Sequence, residues 1–208
     1  MTEARQSILD TAIDQDPSTL KVRQTIFRSI LAGMPIDEAL ISEVTGLGNS
    51  VVRSTVDRLV AAGIATTDAG EGVRRSVDGS EGLTVRSSRH SIVISGKELH
   101  TWCAFDVVGI PAALGLDTTG STQCPTCGTE IELMMRGGEV VDSGAIGWWP
   151  SASGGPVIEA FCPSASIFCN RSHLEEWRVT TGAEGAPRTL MELAEAGRST
   201  WASFTAIE

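Results

Sequence analysis

The sequence predicts an α+β protein: a winged-helix-like N-terminal domain over residues 1–86, then a mixed, mainly antiparallel β core with helices over 87–208. Three observations predict it. Apolar residues recur at helical spacing in three successive segments before Gly63. Two short β-like runs follow within the first domain. From about His90 the pattern changes to short strands separated by Gly, Ser and Pro.

In the first helical segment the apolar positions are Leu20, Ile26, Phe27, Ile30 and Leu31, with Gly33 closing it. Pro35 opens a second, whose expected apolar face is Leu40, Ile41 and Val44. After the Gly46–Gly48 turn, Asn49 is the expected N-cap of a third helix carrying Val52, Val56, Leu59 and Val60, ended by Gly63. Ile64 to Thr67 and Leu83 to Arg86, on either side of a Gly- and Asp-rich turn region, form the expected wing strands. His90 to Ile94 reads as a strand turning at Gly96, and Trp102 to Val108 as a short helix broken by Gly109 and Pro111. Glu130–Met134 and Val157–Cys162 read as strands, Trp148-Trp149-Pro150 as a buried aromatic strand, and Arg188–Phe204 as a helix with Leu190, Leu193 and Ala194 on one face.

Composition narrows the function. Hydrophobic residues at 41% and charged residues at 20% suit a soluble globular chain. No apolar run approaches the roughly 18 residues of a membrane span. The start, Met1-Thr-Glu-Ala-Arg-Gln, lacks a secretory pattern, so a cytoplasmic protein with no membrane partner is expected. A formal net charge of -10 argues against nucleic acid as a partner. The would-be recognition helix offers only Arg53 and Arg58, with Asp57 between them, so the favoured reading is a winged helix used for packing. Five cysteines, an odd number, do not suit a disulfide framework and direct attention to thiol chemistry.

Three thiol neighbourhoods stand out. In Thr101-Trp-Cys103-Ala-Phe-Asp106, helical spacing puts Cys103 and Asp106 on one face. A thiolate that seeks soft metals beside a carboxyl proton carrier could protonate a metal-bound carbon. A structural Cys beside a capping Asp is the commoner origin of such a pair. Cys124-Pro-Thr-Cys127-Gly is half of a zinc ribbon. Cys162 and Cys169 do not have the spacing of a second half, and a set completed by His173 would be irregular, so structural zinc at Cys124 and Cys127 is the less favoured reading beside packed or surface thiols. In the third, Cys162 ends an expected strand, and nothing in its surroundings pairs it with Cys103.

The stretch Gly82-Leu-Thr-Val-Arg, Lys97-Glu-Leu-His-Thr-Trp-Cys103-Ala-Phe-Asp106, Ile110-Pro-Ala-Ala-Leu-Gly resembles the core of the organomercurial (alkylmercury) lyase family. Ser121-Thr-Gln-Cys124 resembles that family's third, structural cysteine. Glu159-Ala-Phe-Cys162 with Glu175-Glu-Trp177 resembles its second catalytic cysteine and the tryptophan that follows. The resemblance spans most of residues 20–180 in order and implies an alkylmercury-lyase-like fold.

It also implies roles. Cys103 and Cys162 would hold mercury, as substrate and then as product Hg(II), with Asp106 as proton shuttle and a further contact to the metal. No organic cofactor would be required. The implied partners are an organomercurial substrate, low-molecular-weight thiols and a mercuric reductase. Two departures are plain: Pro163 follows Cys162 where familiar members have another cysteine, and Ser164-Ala-Ser-Ile replaces a histidine-bearing stretch. Cys127 and Cys169 are additional. Two other readings stand beside this one: a winged-helix thiol-based metal sensor, and a lyase-fold paralogue with another thiol-dependent activity.

Overall fold

The structure is a computed structural model that describes residues 16–68, 75–141, 143–151 and 154–205. The N-terminal Met1–Gln6 stretch and part of the Gly- and Asp-rich turn region, over 69–74, lie outside the described residues. Helix α1 (Pro17–Leu31) begins where the Asp16 carboxylate accepts from the Ser18 and Thr19 N–H groups, with Pro17 in the first turn, where its missing donor costs nothing. Its buried face is Val22, Arg23, Ile26, Phe27 and Ile30. Helix α2 (Glu38–Thr45) buries Ile41, but Leu40 and Val44 are exposed, contrary to the expected apolar face. At eight residues it presents little more than one inward-facing row. Helix α3 (Asn49–Ala61) is capped by Gly48 rather than Asn49 and buries Val52, Val56 and Leu59.

Strand β1 (Ile36–Asp37) and strand β2 (Ala65–Asp68) both pair antiparallel with β3 (Ser76–Ser80), which turns tightly into β4 (Leu83–Thr84). The two expected wing strands are therefore separated by an intervening strand, β3. β4 pairs with β6 (Lys97–Thr101), and the sheet continues through β5 (Ser91–Ile94), β7 (Thr118–Gln123), β8 (Glu130–Arg136) and β9 (Glu139–Val141). This nine-stranded antiparallel sheet runs without a break across residue 86. A second sheet orders β11 (Ser166–Phe168), β10 (Ile146–Pro150) and β12 (Gly185–Thr189). The Trp148-Trp149 pair is a buried strand, as expected.

Three expected elements differ. The helix that begins after Cys103 is not broken at Gly109 and Pro111: α4 spans Ala104–Leu114. Nine of its residues are buried, and that burial offsets the one backbone bond Pro111 cannot donate. Val157–Cys162 is not a strand. Val157–Ala160 is a single helical turn, α5, because its first N–H groups donate to the Ala62 and Gly63 carbonyls beyond α3 instead of to a sheet neighbour. Finally, the C-terminal helix α7 (Leu190–Thr200) starts after Thr189, whose hydroxyl accepts from the Glu192 N–H while Glu192 accepts from the Thr189 N–H; residues before it belong to β12. Helix α6 (Arg171–Thr181) and the short α8 (Ala202–Thr205) complete the chain. Among the described residues no helix is long and apolar enough to cross a membrane.

Candidate active site

Cys103 is the N-cap of α4, and Asp106 is its third helical residue. The Asp106 carboxylate turns back to accept the Cys103 N–H at 2.9 Å, so one short helical turn locks thiol and carboxyl together. Phe105, between them, packs into an aromatic core: it stacks on Trp201 at 5.3 Å and meets Trp149 and Phe161 edge-on at 5.0 and 6.0 Å. Phe161 is the immediate neighbour of Cys162. Burying these rings together carries the α5 segment onto the start of α4. As a result the ligand atoms of Cys103, Asp106 and Cys162 lie within 4.8 Å of one another, all buried. Cys162 lies in the turn after α5, not at a strand end.

Cys162 also lines an open cleft of about 370 Å³ with Trp102, His90, Arg89, Ile158 and Pro163. Pro163, the residue after Cys162, lines the same cleft. His90 is buried; burial, reinforced by the charge of Arg89, holds its pKa down at about 4. A guanidinium can only donate, so the 3.2 Å contact from Arg89 Nε makes His90 Nε2 the acceptor and leaves Nδ1–H to donate to Thr122 Oγ1 at 2.7 Å.

The alkylmercury lyase family model matches residues 83–202, which include all three of these residues. An alkylmercury lyase of Streptomyces lividans is 25% identical over 150 residues, 71% of this chain and 64% of that protein. One from Pseudomonas putida is 26% identical over 111 residues, covering 53% of this chain and 49% of the relative. This chain belongs to the alkylmercury lyase family. It spans about two thirds or less of the length of these curated relatives. Its fold also matches the solved mercury-bound form of MerB2, with a TM-score of 0.88, 21% identity, and coverage of 99% of this chain and 100% of the other.

Within this family member, one residue beside the centre has a role that sequence reasoning did not assign. Gly82 stood in the resemblance only as the start of a matching stretch. The β3–β4 hairpin turns on Glu81 and Gly82, both with positive φ (55° and 93°), as a tight two-residue turn requires. A Cβ on Gly82 would lie 2.7 Å from Asp106 Cγ and Oδ1, so the backbone there closes one side of the carboxylate. The sequence places Glu81 and Gly82 only within a Gly- and Asp-rich turn region; strand β3 inside that region, which makes them a hairpin turn, is not legible there. The turn is tied down by Arg23 of α1, whose guanidinium donates to the buried Glu81 carboxylate at 2.7 Å, and by the Trp201 indole, which donates to the Glu81 carbonyl at 2.8 Å. Trp102 N–H donates to the Gly82 carbonyl at 2.9 Å.

The other three cysteines lie apart from the centre. None of the five is in a disulfide. Cys124 and Cys127 come together with Cys169 and with His173, the residue whose addition the spacing made irregular. The Thr129 hydroxyl and N–H beside Cys127 hold its pKa down at about 6, whereas burial and the neighbouring Cys127 thiol push Cys169 up to about 12.

Proposed function

We propose that this chain cleaves carbon–mercury bonds by protonolysis, giving a hydrocarbon and Hg(II). The observation that carries the reading is the convergence of two thiols and one carboxyl group, from segments far apart in sequence, with Cys162 also lining a cleft. One thiolate displaces X from R–Hg–X, and the second adds to the mercury. Thiolate donation loads electron density onto the carbon. The position at the α4 N-terminus favours the negative charge this step needs. One thiol proton leaves with X as HX. Asp106, hydrogen-bonded to the Cys103 backbone, takes up the other as the second thiol becomes a thiolate and delivers it to the carbon, and the C–Hg bonding pair becomes the C–H bond. Hg(II) remains on Cys103 and Cys162 until exogenous thiol, or a mercuric reductase, takes it. The protein's own groups supply every step, so no organic cofactor is needed.

The chemistry requires reduced thiols, which places the enzyme in a reducing compartment such as the cytoplasm. We read α1–α3 and the β2–β3 hairpin as a winged helix that serves packing. Its arginines support this: Arg53 pairs with Glu38, and Arg58 donates to Thr19. Incubation with phenylmercuric acetate and excess thiol should release benzene from the unmodified protein. Cys103→Ser, Asp106→Ala and Cys162→Ser should each lower that release by two orders of magnitude or more, about the contribution of a positioned acid or nucleophile. Tight mercury binding without benzene would overturn the assignment.

A further inference from the structure

We propose that Cys124, Cys127, Cys169 and His173 form a closed, structural Zn(II) site. Four observations carry it, and none depends on the carbon–mercury reading. The four ligand atoms lie within 4.8 Å of one another. Two of their separations are resolved: Cys127 Sγ to Cys169 Sγ and Cys124 Sγ to His173 Nδ1, each 3.6 Å. Tetrahedral zinc with Zn–S near 2.3 Å and Zn–N near 2.0–2.1 Å requires S···S of about 3.8 Å and S···N of about 3.6 Å. A disulfide would need about 2.05 Å, so the thiol pair has the spacing of metal ligands.

The backbone is built for the same purpose. Cys124-Pro-Thr-Cys127-Gly128 is a tight turn after β7, closed by Gly128 N–H donating to the Cys124 carbonyl at 2.9 Å, with Gly128 at φ 71°. Cys124 N–H donates to the Thr129 carbonyl at the same distance. This presents two thiols on one side, as the half-site of a zinc ribbon does. The second half comes from a different construction. Cys169 immediately follows β11, and His173 is in the first turn of α6, where the Asn170 cap fixes its backbone by accepting its N–H at 3.0 Å. Thr126 Oγ1 donates to the His173 carbonyl at 2.7 Å and joins the two halves directly. Thr129 Oγ1 sits 3.3 Å from Cys127 Sγ, placed to donate to that sulfur once it is a thiolate. Four protein ligands leave no open position, which is the arrangement of structural rather than catalytic zinc.

The site would staple the end of β7 in the large sheet to the end of β11 in the small one and to α6. It would fix the chain just downstream of the Cys162 turn. Protein purified under reducing conditions from zinc-replete cells and desalted should contain one zinc per chain by elemental mass spectrometry. Cys127→Ser, at an exposed position that tolerates serine, and His173→Ala should lose it. A Cys103→Ser/Cys162→Ser double variant should keep it, which separates this site from the mercury centre. Replacement by Co(II) should give the intense visible bands of tetrahedral thiolate coordination, and stripping the metal should lower Tm. Metal-free protein from replete cells, an octahedral cobalt spectrum, or a Cys127–Cys169 disulfide in freshly isolated protein would each overturn the proposal. Because zinc content is read without substrate, its failure leaves the benzene assay untouched.

Discussion

Asp106 is a carboxyl group buried to 0% exposure, and its geometry depends on a residue with no side chain. Gly82 faces it across a gap that a methyl group would close, at a φ of 93° that L-residues avoid. Gly82→Ala therefore combines backbone strain with a push on the carboxyl group. A displacement of about 1 Å at a reacting group can cost roughly 100-fold in rate. We expect single-turnover benzene release to fall by about that factor while Hg(II) still binds both thiols. The check is to measure benzene release and mercury stoichiometry on the same variant, shown to be folded by circular dichroism. Unaltered release would show that Gly82 does not position the acid. Nothing in the identity of Gly82 alone announced this; a Gly-rich turn region was legible, but its neighbour across space was not.

At the scale of elements, local signals were readable where one periodicity acted alone. Most of the apolar rows of α1 and α3 followed from spacing, and the β8 and Trp148-Trp149 strands from their β-like composition. Elements set by distant partners did not. The α5 turn forms because Ala62 and Gly63 carbonyls take its first N–H groups. Helix α4 continues past Gly109 because that glycine is a helix–helix contact. A Cβ on Gly197 of α7 would lie 2.2 Å from Gly109 Cα, so the two helices cross with their backbones nearly touching. Propensity predicts that Gly197→Ala gains about 1 kcal/mol in an isolated helix. Forcing the crossing apart costs about 1–3 kcal/mol and exceeds that gain. The variant should therefore unfold at lower urea and lower Tm than the unmodified chain. A rise in Tm would mean that propensity wins and that the close crossing is not limiting. Likewise, Cys103 and Asp106 were readable as a pair from their spacing, whereas Cys162 joins them through tertiary packing such as that of Phe105 against Phe161.

The whole molecule couples its N-terminal helices to the site through one sheet. Arg23 of α1 holds the Glu81 turn, that turn backs Asp106, and β4 passes the sheet on to β6 and β5. His90 sits at this junction, just before β5, bonded to Thr122 of β7 and lining the cleft. Its pKa of about 4 in the folded protein, against an ordinary 6.5, makes global stability depend on pH. The folded state keeps His90 neutral, while the unfolded chain takes up the proton below 6.5. Its contribution is thus fully present above pH 6.5 and is lost as pH falls toward 4. The linkage amounts to about 3 kcal/mol at most. Asp16 and Glu192, both held below their ordinary carboxylate values, act mainly at lower pH, as they protonate in the unfolded chain from about 4.5 downward. Urea melts between pH 7 and 5 should therefore show a fall in unfolding free energy that is much smaller in His90→Gln, which can still reach Thr122 but cannot protonate. Parallel curves for the two proteins would mean that His90 is not the group that destabilises the fold in acid.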